Sequence, residues 1–188
     1  RDRSVSRGLG DVYKRQTYTI NINRQAASAN NAGGNNNQNN NNQNNTDVNI
    51  TSGKYSIGTY ITGIEPGTGA ADFVKNIAVS ASGTVKLLTS SGSENSGKIA
   101  TGNKVAVYDA SGNLKKTYDI VIYGDINGDG AVNALDMIKL NRHILGKGTL
   151  TGAYLEAADA NRKRDGGNAL DMIIMNRHIL GKSKISQN

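Results

Sequence analysis

The chain of 188 residues has no cysteine, no tryptophan, one phenylalanine and one proline. Without cysteine, neither a disulfide framework nor a thiolate metal site can be built. So little bulky aromatic surface favours small modules over one large core. No apolar run approaches the roughly 18 to 20 residues that cross a bilayer, and no charged-then-apolar leader stands at the start. The first residue is Arg1 rather than Met, which predicts a fragment whose export signal, if any, lies upstream. The formal charge of +7 invites a nucleic-acid reading, but residues 1–16 carry five Arg/Lys against two Asp, and the rest is dispersed without an aromatic-interleaved basic stripe. Nucleic-acid binding is therefore not expected.

Residues 1–16, RDRSVSRGLGDVYKRQ, have neither helical nor strand periodicity and are similar to translated library-adapter sequence, so they are set aside from fold reasoning. Residues 17–24, TYTININR, place Tyr18, Ile20 and Ile22 on one side, as a half-buried strand would. They resemble the last strand of the cadherin-like β-sandwich domains of bacterial surface proteins. Residues 25–46 include NNNQNNNNQNN, a tract too polar to offset its chain entropy by burial. It reads as a disordered linker. A prion-like assembly role is the sharper alternative, but a tract this short between modules is better explained as a spacer.

From 47 to 123 the pattern is that of a small β-sandwich: KYSIGTYITGI, NIAVSASGTVKLL and NKVAVYDASGNLKKTYDIVIY alternate apolar and polar residues between turn signals. Asp109-Ala-Ser-Gly-Asn113 sits between two alternating runs, the pattern of a hairpin. GAADFVKNI predicts one short helix, with Phe73, Val74 and Ile77 on one face. This stretch has no His, no Cys and no clustered carboxylates, so acid–base chemistry has nothing to run on and an accessory fold is expected.

The chemistry lies in 124–188. Counting from Asp125, oxygen donors fall at Asp125, Asn127, Asp129, Asn133 and Asp136, and Gly130 occupies the sixth position. A hard cation takes six to eight oxygens, which alternate side chains can supply while the sixth residue turns sharply; the Ala131 carbonyl would be the backbone ligand. An Asx-rich helix cap explains one or two such residues, not five in register with the glycine, so the loop is read as an EF-hand-type Ca2+ loop. It departs from the regulatory pattern in carrying Asp136 rather than Glu at position twelve, and in following a strand-like segment rather than a helix. Met137, Ile138, Leu140, Ile144 and Leu145 then give a helical stripe, with Gly146 as its C-cap.

The segment repeats. Residues 133–147 match 168–182 at 13 of 15 positions with an offset of 35, which implies two half-sites in pseudo-twofold relation. The second loop, Asp159 to Asp171, is one residue longer, offers Asp159, Asn161, Asp165, Asn168 and Asp171, has Gly167 where Val132 stands, and carries Arg162-Lys163-Arg164 where positive charge opposes a cation. Whether it binds calcium stays open at this level, and the first site is expected to be tighter. His143 and His178, one per repeat, suggest a metal or pH switch, but with no second nitrogen nearby a packed or capping role is preferred.

Residues 124–182 resemble the type I dockerin family, whose members carry duplicated calcium loop-helix repeats. The resemblance implies a mainly α calcium-binding domain behind the β module, in a multidomain, non-enzymatic piece. It also implies a cohesin domain of a scaffold protein as partner, a bacterial extracellular or cell-surface location, and a role in cellulosome-type polysaccharide degradation. In that family, loop positions ten and eleven and the following helix meet the cohesin. They map here onto Ala134, Leu135, Asn141 and Arg142, and onto Ala169, Leu170, Asn176 and Arg177. Leu135 and Leu170 could face a partner or pack inward. Two alternatives remain open: a calcium-stabilised cap on the chain's own β module, without cohesin, and the tail of a glycoside hydrolase.

Overall fold

The computed structural model describes residues 48–80 and 82–188. The adapter-like stretch, the strand expected at 17–24 and the Asn/Gln-rich linker lie outside them.

In the first half, β-branched residues alternate with polar ones and the chain folds accordingly. The strands are β1 (Ile50–Thr51), β2 (Ser56–Ile57), β3 (Tyr60–Thr62), β4 (Ala78–Val79), β5 (Thr84–Leu88), β6 (Lys104–Tyr108) and β7 (Leu114–Ile120), with α1 (Ala70–Lys75) after β3. Five of them form one sheet in the order β2-β3-β7-β6-β5, and β1 pairs with β4 in a separate ribbon. Register puts Val85 opposite Val107, Leu87 opposite Val105, and Val105 opposite Tyr118, so these side chains share the buried face while Lys86 takes the other. Each such apolar side chain contributes about 1.5–3 kcal/mol when removed from water.

The hairpin expected at 109–113 joins β6 to β7. The Asp109 carboxylate accepts the Ser111 and Asn113 N–H groups at 2.9 Å each, an Asx turn that fixes the reversal. The helix expected around Phe73 is α1, and Phe73 stacks on Tyr55 with ring centroids 5.0 Å apart. The module is β-rich, as its alternation implies: among the described residues its strands form the five-stranded sheet and the short β1–β4 ribbon, in which β1 and β4 each span two residues. Ile50 of the ribbon and Phe73 and Val74 of α1 belong to the same buried core as the sheet.

The second half is helical: α2 (Ala134–Ile144), α3 (Gly152–Ala158) and α4 (Ala169–Ile179). Leu140 on α2 and Met175 on α4, equivalent under the repeat, are both fully buried in one cluster with Val121, Tyr123, Ile126 and Ile185. Four of the ten buried members of that cluster are alanines, so its apolar content is small for a free-standing fold. α3 was not legible as a helix in the sequence. It is short, and Ala153, Ala157 and Ala158, which form its buried face, give a weak hydrophobic signal.

No linker separates the halves. Residues 120–126 are buried without interruption. The Val121 N–H donates to the Ile61 carbonyl at 3.0 Å. The chain's last residues close the same junction: the Gln187 side chain accepts from the Tyr123 N–H at 2.8 Å and donates to the Tyr123 carbonyl at 3.0 Å.

Candidate metal centre

In the first loop, the 125–136 pattern becomes a closed ring of N–H···carboxylate bonds. Asp125 is fully buried; its Oδ1 accepts from Gly128 and Asp129 N–H, and its Oδ2 from Gly130 N–H and, across the module boundary, from Thr101 N–H at 2.8 Å. Asp136, also fully buried, accepts from Ile126 and Asn127 N–H at 2.8 Å each and from Asn133 N–H at 2.9 Å. The last of these bonds completes a capping box, since Asn133 is the N-cap of α2 and Asp136 its third residue. One carboxylate thus starts the helix and holds the loop shut, which gives Asp at position twelve a local reason.

Gly128 and Gly130 have φ of +76° and +79°. A Cβ on Gly130 would lie 2.5 Å from the Ile99 carbonyl oxygen, so this turn requires glycine for conformation and for space. Asp129 is exposed, and its carboxylate takes the Asn127 amide at 2.7 Å, the Asn133 amide at 3.4 Å and the Ala131 N–H at 2.9 Å.

Burial pushes the Asp125 carboxyl up to about 6, against the N–H groups of Thr101, Gly130 and Asp129 that favour its anion, with Asp136 adding to the rise. Burial likewise raises Asp136 and Asp171. At Asp129 burial pulls upward, but the Asn127, Ala131 and Asn133 donors together outweigh it and lower the carboxyl. Asp125, Asp129 and Asp136 share one loop with the side-chain amides of Asn127 and Asn133 and with no His or Cys, and carboxylates that are costly to ionise together in such an oxygen-bearing set suit a hard divalent cation. The residues of this loop fit calcium.

The second loop reproduces the first further than its sequence suggests. Lys163 N–H donates to Asp159 Oδ1 and to Asn161 Oδ1, as Asp129 N–H does to Asp125 and Asn127, and Arg164 N–H takes the place of Gly130 N–H. Arg162 and Arg164 accordingly adopt left-handed φ of 56° and 58°, where the first loop has glycines. The extra residue follows, and it brings in Asp165. One oxygen each from Asp159, Asp165 and Asp171 lies within 4.8 Å of the others. Asp165 thereby supplies the third carboxylate that Lys163 cannot. Asn161 N–H donates to Asp171, and Asn168 caps α4 through its own capping box with Asp171. Gly167 stands where Val132 does because a Cβ there would sit 2.7 Å from both Ala158 and Leu140.

The histidines are staples. His143 Nδ1 accepts the Leu150 N–H at 3.3 Å and His178 Nδ1 the Ile185 N–H at 3.0 Å, each tying a helix end to the chain that leaves it. Gly146 ends α2 as expected: its N–H donates to His143 and the Lys147 N–H reaches back to Arg142, a Schellman arrangement.

The helical stripe read from the sequence is corrected in one respect. Of Met137, Ile138, Leu140, Ile144 and Leu145, only Leu140 is fully buried, while Ile138 and Leu145 are more than half exposed. Two apolar stripes are interleaved on α2, and only one of them, through Leu140 and the partly buried Met137, joins the cluster that holds Met175 of α4 and the alanines of α3. The outward stripe consists of Leu135, Ile138 and Leu145, repeated as Leu170, Ile173 and Leu180, all between 56% and 58% exposed. Leu135 and Leu170 therefore do not pack inward. Ala134, Asn141, Arg142, Ala169, Asn176 and Arg177 are exposed beside them. Ile138, Leu145, Ile173 and Leu180 were missed as surface candidates because periodicity alone assigns them to the core.

Residues 123–180 match the model of the dockerin type I domain family. No curated protein and no solved structure matches the chain. With two Asp-anchored loops, each opening a capped helix and related by a 35-residue repeat, the C-terminal segment of this chain is a type I dockerin domain, a non-catalytic module of calcium-dependent docking.

Proposed function

We propose that this chain docks through α2 and α4 onto a cohesin domain of a scaffold protein, anchoring a bacterial extracellular or cell-surface protein to an assembly of the polysaccharide-degrading kind. The observation that carries the reading is the outward stripe, present twice. Six large apolar side chains stand more than half exposed at matching positions of the two repeats, and surface of this kind marks an interaction site. Burying each on a partner would contribute up to about 1.5–3 kcal/mol before the costs of association.

The loops prepare that surface. Asp125, Asn127, Asp129, Asn133, Asp136 and the Ala131 carbonyl would hold calcium in the first loop, and Asp159, Asn161, Asp165, Asn168 and Asp171 in the second. A bound ion would neutralise carboxylates that otherwise repel one another. The capping boxes at Asn133–Asp136 and Asn168–Asp171 then transmit loop closure to the helices, since the same carboxylates belong to both.

Since Leu135 and Leu170 are equivalent, either repeat could face one cohesin, in orientations half a turn apart. The test is binding of the full chain to a cohesin panel with calcium and with chelator. Leu135→Asp or Leu170→Asp alone should weaken binding little, and the double variant should abolish it. If the double variant binds normally, these residues are not the interface.

A second reading is favoured by the Thr101–Asp125 bond: a calcium-stabilised cap on the chain's own β module, with no cohesin. Binding to no member of the panel, with calcium-dependent stability intact, would decide for it.

A further inference from the structure

We propose that the β module forms part of the first calcium site, so that ion binding in residues 125–136 and folding of the β module are one thermodynamic event, with Thr101 as the positioning residue. The inference rests on the calcium reading of that loop and goes beyond it.

The loop is held from outside by two hydrogen bonds and approached closely by a third backbone group. Thr101 N–H donates to Asp125 Oδ2 at 2.8 Å; Gly67 N–H donates to the Gly130 carbonyl at 2.9 Å; and the Ile99 carbonyl faces the space where a Gly130 Cβ would be. Tyr154 of α3 closes the other side, its ring lying against both Gly102 and Gly128. Thr101 is itself fixed: it is 1% exposed, its hydroxyl accepts the Ile122 N–H at 3.1 Å and donates to the Ile122 carbonyl at 3.2 Å. The side chain thus sets where its own N–H points. An N–H on the outer lone pair of a ligating carboxylate orients that carboxylate and stabilises its anion, the role outer donors play around metal sites.

The second loop supplies the contrast. Asp159, the repeat mate of Asp125, accepts side-chain hydrogen bonds from Lys163 and Arg164 N–H, both of its own loop, and, among the described residues, from none of the β module. The repeats are equal in their helices and unequal in this coupling. Calcium at the first loop should therefore tighten the β module, whereas calcium at the second should not.

Hydrogen exchange followed by mass spectrometry on the full chain, with calcium and with chelator, tests this directly. Calcium should slow exchange in peptides covering 61–69 and 97–107 as well as in 124–136. Slowing confined to 124–182 overturns the coupling while leaving the calcium reading intact, and no change anywhere overturns both.

Variants supply the second arm, read by calorimetric calcium titration. Thr101→Val keeps volume and N–H but removes the hydroxyl that positions them. It should weaken one site about tenfold and leave the other alone, with rescue by Thr101→Ser. Unchanged affinity at both sites in Thr101→Val would overturn the assignment. The exchange measurement uses the unaltered chain, so it decides the matter even if that variant fails to fold.

Discussion

Replacing Gly130 by Ala imposes two separable costs. The residue has φ +79°, where an L side chain costs about 1–2 kcal/mol. The new Cβ would also stand 2.5 Å from the Ile99 carbonyl oxygen and 3.4 Å from its carbon. Those atoms are backbone and cannot rotate away, so the loop or the 98–101 segment must shift by about 1 Å to restore ordinary contact near 3.5 Å. Overpacking of this kind costs about 1–3 kcal/mol. Together the loss is about 3 kcal/mol, and for a cooperative unit of this size that lowers the melting temperature by about 6–12 °C. Gly166→Ala is the control: it shares a left-handed φ of +74°, but its Cβ would meet nothing closer than Leu155 at 4.0 Å, so only the conformational part should be lost. Scanning calorimetry of both variants in excess calcium measures the difference. Equal losses would mean that the β module does not bear on the first loop, and the contact argument would fall.

Four further outcomes are expected. Arg164→Gly should stabilise the protein by about 1 kcal/mol in thermal melts, because it relieves a left-handed non-glycine residue, and should tighten calcium at the second loop by removing a like charge. Asp129→Ala should cost more calcium affinity than Asp165→Ala in calorimetry, because the second loop carries the Arg162-Lys163-Arg164 charge that opposes a cation; two equivalent sites would contradict this. Leu140→Ala, at a fully buried position, should destabilise by about 2–5 kcal/mol in denaturant titrations. For pH, Asp125 is raised to about 6, above its unfolded value near 4, so ionising it opposes folding of the metal-free chain above pH about 6, and that penalty fades as pH falls towards 4. Asp136 and Asp171 act in the same direction and Asp129 against it. Metal-free stability should then rise on mild acidification while calcium affinity falls, because a proton competes for the same oxygen. A calcium affinity that stays flat between about pH 7 and about pH 5 would contradict this.

How far the sequence could be read depended on whether a residue's role was local. The donor spacing from Asp125 to Asp136, the Asp109–Asn113 turn and the Gly146 cap are set by neighbours within a few positions, and each lies where local chemistry puts it. The repeat offset of 35 sets Leu140 and Met175 at equivalent positions, and both are buried in one cluster although the two residues differ. What could not be read were contacts between segments far apart in the chain. The Thr101–Asp125 bond spans 24 residues and Gln187–Tyr123 spans 64, and neither leaves a mark in local periodicity. The division of α2 into a core side and an open side was hidden for the same reason: apolar spacing does not say which stripe finds a neighbour. In the second loop, the irregular sequence concealed a regular backbone, since Arg162 and Arg164 adopt a conformation that residue type alone would assign to glycine.

The central claim, that residues 125–136 and 159–171 are calcium loops that organise the docking helices, is tested most directly by titrating the metal-stripped full chain with calcium while following heat and far-ultraviolet circular dichroism together. The account predicts saturable uptake accompanied by a gain in helical signal and in melting temperature, both reversed by chelator. No uptake, or uptake with helicity and melting temperature unchanged, would contradict it.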